Sequence, residues 1–364
     1  MTKTLDFIRP HIQAMPPYEP ILPYDVLSEE LGIPVDQLVK LDANENPYGP
    51  LPEVQAALAA LDTLHIYPDP ETRQIRKRLA EHHQITEKSI VIGAGADELI
   101  DLIMRIVLEP GEKLINCPPT FGMYAFDGAL NQAQVISVPR RADFSLDMVR
   151  ILQAVEQHRP KILFLAHPNN PDGGIISEGE FRQLVDLPIL LVVDEAYIQF
   201  SDQGRSYLTE VDQYPNLIVL RTFSKWAGLA GLRIGYGVFP EAFVPMLMKA
   251  KQPYNVSVAA EQAAVVTLQN LAKAQDNIHR IIEHRARLYA ALQPIPWLKP
   301  YPSQANFILC RVEGRPAISV KQHLRQQGIL IRYFDKPGLS DHIRISIGTQ
   351  GQIDSLIDSL KGIR

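Results

Sequence analysis

The chain has 364 residues, 46% hydrophobic and 21% charged, ordinary proportions for a globular protein with room for a large domain and a smaller one. A formal net charge of −5 leaves no basic footprint for nucleic acid, and the apolar runs are strand-length, too short to cross a membrane. Cys117 and Cys310 stand far apart without metal-ligand spacing, and the N-terminus carries no apolar stretch of signal-peptide length, so a cytoplasmic enzyme with no metal is the expected class.

Residues 1–40 are rich in proline and show little periodicity before DVLSEELG, which predicts one short helix. They read as an N-terminal arm that packs on another surface and supplies part of a small domain. From Leu41 to about residue 255, strand-length apolar runs alternate with amphipathic stretches, the pattern of an α/β fold with a mostly parallel seven-stranded sheet between helices. The candidate strands are SIVIGAG, KLINCPP, AQVISVP, KILFLAHP, PILLVVDEAY, LIVLRTF and IGYGVF; several are apolar throughout, as expected when helices cover both faces.

Chemistry-bearing residues gather at the ends of these runs, where open α/β sheets place their ligands. GAGADELI leads small residues straight into a helix, so the amides of Gly95, Ala96 and Asp97 are candidates to hold a phosphate; Asp97 and Glu98 are equally suited to a plain helix start. In HPNNPDGG, Asn170 precedes a proline and is held extended, able to reach into a cleft, although an ordinary turn has the same composition. VVDEAY ends an apolar strand on Asp194, with Tyr197 three residues on; a metal site or a nucleotide-binding acid are rivals for Asp194, but their other parts are missing from the sequence.

In TFSKWAGLAGLRIG, Lys225 sits among apolar and small residues. Schiff-base chemistry is one reason for such a lysine, because a desolvated amine near a second cation, here Arg233, is drawn toward the neutral nucleophile. A surface lysine in a strand-to-loop turn is the alternative. Beyond Pro253, residues Val258 to Leu292 carry helical spacing and lead into a small domain, 256–364. There NFILCRV, ILIRYF and HIRISIG predict strands, and SVKQHLRQQG and QIDSLIDSLKG predict helices ending at glycines. Arg332 and Arg344, on two of those strands, have the fork that matches a carboxylate or phosphate.

Taken together, LDANENPYGP, IYPDP, CPPTFGMY, PNNPDGG, VVDEAY, TFSKWAGLAGLRIG and HIRISIG resemble the fold-type I, pyridoxal-phosphate (PLP)-dependent aminotransferases, and within them most closely the histidinol-phosphate aminotransferases. The resemblance covers nearly the whole chain from Leu41 onward. It implies PLP bound by Lys225 as a Schiff base, with Lys225 also shuttling the substrate proton. Asp194 would hold the pyridine nitrogen, Tyr197 and Asn170 would flank the phenolic oxygen, and Phe121 would stack on the ring. Ser224, Arg233 and the Gly95, Ala96 and Asp97 loop would hold the phosphate. Tyr67 of IYPDP would be lent to a neighbouring subunit, which implies a homodimer with shared sites. Arg344, with Arg332, Asn44 and Tyr18 of the arm, would bind the small-molecule substrates, histidinol phosphate and glutamate. An aromatic-amino-acid aminotransferase, a threonine-phosphate decarboxylase and a non-catalytic relative are the alternatives. Two residues depart from the pattern: Asp172 where threonine is usual, and Trp226 where a small residue is commoner.

Overall fold

The computed structural model describes residues 4–17 and 22–363. Tyr18, a candidate substrate ligand, lies outside the described residues. The strands in chain order are β1 (Val39–Leu41), β2 (Ile90–Gly93), β3 (Lys113–Asn116), β4 (Gln134–Ser137), β5 (Ile162–Ala166), β6 (Leu190–Asp194), β7 (Leu217–Thr222), β8 (Gly235–Val238), β9 (Leu298–Pro300), β10 (Phe307–Val312), β11 (Ile329–Tyr333) and β12 (His342–Ser346).

Seven of them form one sheet in the order β2-β8-β7-β6-β5-β3-β4, parallel from β7 to β4, with β8 antiparallel to both its neighbours. Alternate residues of the central strands feed two separate cores. Leu163, Leu165, Leu191, Val193, Leu217 and Val219 pack on one face, while Ile162, Phe164, Val192, Ile218 and Leu220 pack on the other. This two-sided burial is why these runs read as continuously apolar. It also leaves the strand ends as the places where polar side chains can stand.

The second sheet runs β1-β11-β12-β10-β9. Its strand β1 escapes sequence reading because three residues show no alternation; it pairs in parallel with β11, Val39 beside Ile329, and so stitches the N-terminal part of the chain into this sheet. On β12, Ile343 and Ile345 enter the core, and the two-residue period turns His342, Arg344 and Ser346 to the opposite face.

The helical stretch after Pro253 is two helices, Val258–Gln269 and Leu271–Leu292, divided at Asn270, whose backbone is non-helical (φ −119°, ψ 36°). The first starts on the Ser257 cap and packs against helices Pro52–Ala59 and Arg73–His83, which flank the large sheet. Helix Ala317–Gln326 stops just before Gly328 (φ 75°), as expected, and helix Gln350–Gly362 ends at its glycine, although the capping position falls on Ile363. The DVLSEELG helix spans Tyr24–Leu31 and closes on left-handed Gly32. Ahead of it, the arm helix Pro10–Ala14 touches helix Met123–Leu130 through His11 and the Leu130 carbonyl, 3.3 Å apart.

One glycine fixes how the lysine loop meets the rest of the chain. Gly228 has φ +69°, and a Cβ there would lie 2.4 Å from the Gly49 backbone, so the loop after Lys225 and the segment after Asn44 can abut only because Gly228 has no side chain. Beside it, Trp226 is buried against Phe223 (5.4 Å between ring centres), and its carbonyl accepts from Asn46 Nδ2 at 2.8 Å.

Candidate active site

A cavity of about 1110 Å³ is lined by Asn44, Phe121, Asn170, Tyr197, Lys225, Arg332 and Arg344, among others. It brings residues from the carboxyl ends of the large sheet to residues of the small one. Lys225, three residues beyond β7, is half-buried at its wall.

Asp194 closes β6 and is buried. Its Oδ2 accepts from the Tyr124 hydroxyl at 2.7 Å, and its Oδ1 from the Ala196 N–H at 3.0 Å. Burial pushes its carboxyl up to about 6, with Asp97 and Glu195 adding to the effect and the Tyr124 and Ala196 hydrogen bonds opposing it. No lysine or arginine among the described residues forms a salt bridge with it, so a cationic ring nitrogen suits this carboxylate. Tyr124 is a site residue that the sequence reading missed. It lies on helix Met123–Leu130, wholly buried and stacked on Phe164 at 5.2 Å, and the only hint in the sequence is its position one helical turn after Phe121.

Phe121 lines the cavity and meets Tyr124 edge-on at 5.6 Å. Its loop is tied to the Asn170 loop: Thr120 Oγ1 donates to Asn169 Oδ1 (2.8 Å), and Asn169 Nδ2 donates to the Pro119 carbonyl (3.1 Å). Asp172 strengthens this tie. Its carboxylate accepts from Asn169 Nδ2 and from the Gly174 N–H, so the aspartate closes the turn and Asn170 stays at the cavity wall.

Also at the cavity wall, Tyr197 Oη accepts from Asn44 Nδ2 at 3.1 Å and, at the limit of a hydrogen bond, from Asn170 Nδ2 at 3.5 Å. Asn170 Oδ1 in turn accepts from Arg344 Nη1 (2.5 Å), and Arg344 Nη2 donates to the Asp42 carbonyl (2.8 Å). Arg344 is buried between Phe307 and Phe334, its guanidinium carbon 5.1 Å and 5.6 Å from their ring centres. Burial draws its pKa down to about 10, with Arg332 adding to the effect against Tyr197 and Asp42; it stays cationic at neutral pH. Arg332 is its register partner across β11 and β12 and lies over the Phe334 ring. Two like charges placed side by side in a sheet repel, which marks the spot as a seat for an anion.

A second candidate seat for an anion lies where β2 and β7 end and β8 begins, with Gly235 paired to both Gly93 and Thr222. A Cβ on Gly235 would lie 2.6 Å from the Ala96 amide nitrogen, and one on Gly95 would lie 2.7 Å from Arg233 Nη2. These glycines therefore let Arg233 approach the start of helix Ala96–Val107, where the amides of Ala96 and Asp97 have no helical acceptor. Arg233 holds φ 54° and reaches Asp97 Oδ2 at 2.9 Å. Ser224 is buried, and its hydroxyl accepts from Thr222 Oγ1 at 2.9 Å. Tyr67 stands apart from the cavity, 79% exposed and stacked on Tyr254 at 4.6 Å. No group of three or more metal-ligating side chains occurs among the described residues.

The site thus offers an amine, a buried carboxylate for a cationic ring, and separate seats for two anions. Residues 36–360 match the model of the family "Aminotransferase class I and II", and the chain belongs to that family. It is 51% identical to the chloroplastic histidinol-phosphate aminotransferase of Nicotiana plumbaginifolia, over 98% of this chain and 86% of that one. It is 50% identical to the histidinol-phosphate aminotransferase of Roseiflexus castenholzii, over 98% of both chains. Among solved structures, it superposes on histidinol-phosphate aminotransferase from Sinorhizobium meliloti in complex with pyridoxal-5'-phosphate, with a TM-score of 0.88, 26% identity and 98% coverage of each chain.

The raised Asp194 pKa gives a pH test on cofactor-free protein. The folded state holds the Asp194 proton more tightly than the unfolded chain does, so this group's contribution to stability is present at pH 4 and lost as pH rises through about 6. Relative to Asp194→Asn, which cannot titrate, the native protein is expected to lose stability between pH 4 and pH 7, by about 3 kcal/mol at most. Denaturant unfolding of both proteins across that range checks it; parallel curves would show that Asp194 is ionised throughout.

Proposed function

We propose that this aminotransferase binds PLP and moves an amino group between histidinol phosphate and 2-oxoglutarate, reversibly, with imidazole-acetol phosphate and glutamate as the other pair. The observation that carries the substrate is the likeness, 50% and 51% over 98% of this chain, to relatives that bear that name. The residues present fit the cofactor. The Asp194 carboxylate suits a pyridinium, Phe121 suits a ring face, Tyr197 and Asn170 suit a phenolic oxygen, and the seat made by Ser224, Arg233 and the Ala96 and Asp97 amides suits a phosphate.

When bound, the cofactor supplies an aldehyde that condenses with amines and a ring that takes up the electron pair released at the substrate Cα. Lys225 lines the cavity from the loop after β7, where its amine would link to the cofactor's aldehyde and would hold and move the substrate Cα proton. Asp194 would hold the ring nitrogen in its protonated form, and Tyr197 and Asn170 would hydrogen-bond the phenolic oxygen. Arg344, with Arg332, seats the anionic end of the substrate; both a carboxylate and a phosphate accept its fork, so one seat serves both substrates of the exchange.

A substrate panel tests this reading. With glutamate as donor, imidazole-acetol phosphate is expected to be aminated at least tenfold faster than phenylpyruvate, and threonine phosphate to release no carbon dioxide. Preference for phenylpyruvate would mark an aromatic aminotransferase, and carbon dioxide release a decarboxylase.

A homodimer with shared sites belongs to the same proposal. It is supported by the exposed, stacked pair Tyr67 and Tyr254, with Leu64 and Ile66 exposed in the same stretch of chain as Tyr67. Tyr67→Phe is expected to weaken PLP retention. Mixed with inactive Lys225→Ala protein, it should form hybrids whose activity differs from the average of the parents, whereas strictly additive activities would place Tyr67 outside the neighbouring site. A reducing, cytoplasmic setting is supported by two buried free thiols, Cys117 and Cys310.

A further inference from the structure

Asn44 is 1% exposed and holds φ 55°, a left-handed backbone that residues other than glycine seldom adopt. Three contacts from the small-domain side fix it there. Its N–H donates to Ser346 Oγ (2.9 Å), the Ser346 hydroxyl donates to its Oδ1 (2.9 Å), and Asn306 Nδ2 donates to its carbonyl (3.0 Å). With the amide oxygen engaged by Ser346, the amide nitrogen faces Tyr197 and donates to its Oη at 3.1 Å. A phenol has one proton to give and two lone pairs to accept with. Asn44, with the longer contact from Asn170 Nδ2 at 3.5 Å, occupies the accepting side, which leaves the Tyr197 proton to be given to a partner in the cavity that Tyr197 lines.

We infer that Asn44 is a positioning residue: clamped by Ser346 and Asn306, its amide orients the Tyr197 phenol so that the phenol donates to the cofactor's phenolic oxygen. Ser346 lies two residues from Arg344 on the same face of β12, so the strand that seats the substrate anion also sets the direction of the phenol. The inference rests on the cofactor reading above. It gives Asn44 a role exerted through Tyr197, in addition to its place in the cavity wall.

The test is the pH titration of the bound cofactor's visible absorbance in the holoenzyme. A hydrogen bond given to the phenolic oxygen favours its anionic form, so weakening that bond raises the proton affinity of the conjugated system. In Asn44→Ala the midpoint is expected to rise by about 0.5 pH unit or more, roughly threefold in proton affinity. Tyr197→Phe gives the ceiling, and adding Asn44→Ala to Tyr197→Phe moves the midpoint no further. Ser346→Ala keeps Asn44 itself, shifts the midpoint the same way by a smaller step, and serves if Asn44→Ala does not fold. Arg344 and Tyr124 interact electrostatically with Tyr197, Asp194 accepts from Tyr124, and Lys225 and Arg332 line the same cavity; all are left unchanged in these variants.

Additive shifts in the double variant overturn the inference. So does a midpoint unmoved in both Asn44→Ala and Ser346→Ala; if KM rises under that condition, Asn44 acts by touching substrate instead. Native protein that develops no visible band on adding PLP brings down the cofactor reading, and this inference with it.

Discussion

Lys225→Ala is expected to lower kcat by about 10⁴-fold or more and to leave no peptide to which borohydride can fix the cofactor. The size of the expected effect comes from the two roles proposed for this one amine, the covalent hold on the cofactor and the proton transfer, both of which the truncation would remove at once. Folding should be spared. Lys225 is only half-buried at the cavity wall and forms no salt bridge among the described residues, so its truncation should change stability by about 0.5 kcal/mol or less. Turnover, thermal unfolding and peptide mass after borohydride check the three parts. Activity within tenfold of the native enzyme, or label on another peptide, would remove Lys225 from the mechanism.

Arg344→Ala is expected to lower kcat/KM for the anionic substrates by about 30- to 1000-fold, the effect of truncating one partner of a desolvated charge pair, about 2 to 4 kcal/mol. The loss extends beyond substrate. Asn170 Oδ1 and the Asp42 carbonyl both accept from this guanidinium, and leaving them unpaired is expected to cost about 1 to 3 kcal/mol of stability. Arg344→Lys should restore charge without the fork and recover only part of the rate. Arg332→Ala, at a less buried position, should be milder. Steady-state kinetics with both substrates of the exchange would show this; equal losses for anionic and uncharged amines would mean that Arg344 is structural only.

The large sheet was legible because its central strands are buried on both faces, and a residue such as Val192 or Ile218 leaves an unbroken apolar run in the sequence. Strands β1 and β9 were not, since three residues carry no period. The break at Asn270 went unread for a related reason: local composition permits a continuous helix or two, and packing chooses. At the site, the residues that end strands could be named. What they bond to could not. Tyr124 reaches Asp194 across 70 positions and Ser346 reaches Asn44 across 302, distances over which nothing local signals contact. Asp172 was noticed as a departure, but its partner Asn169 and the tie onward to the Phe121 loop appear only once the turn is folded.

The facing arginines of β11 and β12 make the choice of buffer part of the biochemistry. Inorganic phosphate or sulfate is expected to occupy the seat proposed for the charged end of a substrate, relieve the repulsion between Arg332 and Arg344, and raise the melting temperature by mass action. The same ions would then depress measured rates as competitive inhibitors. A thermal screen that ranks phosphate as the best stabiliser would be selecting the condition in which the enzyme is slowest.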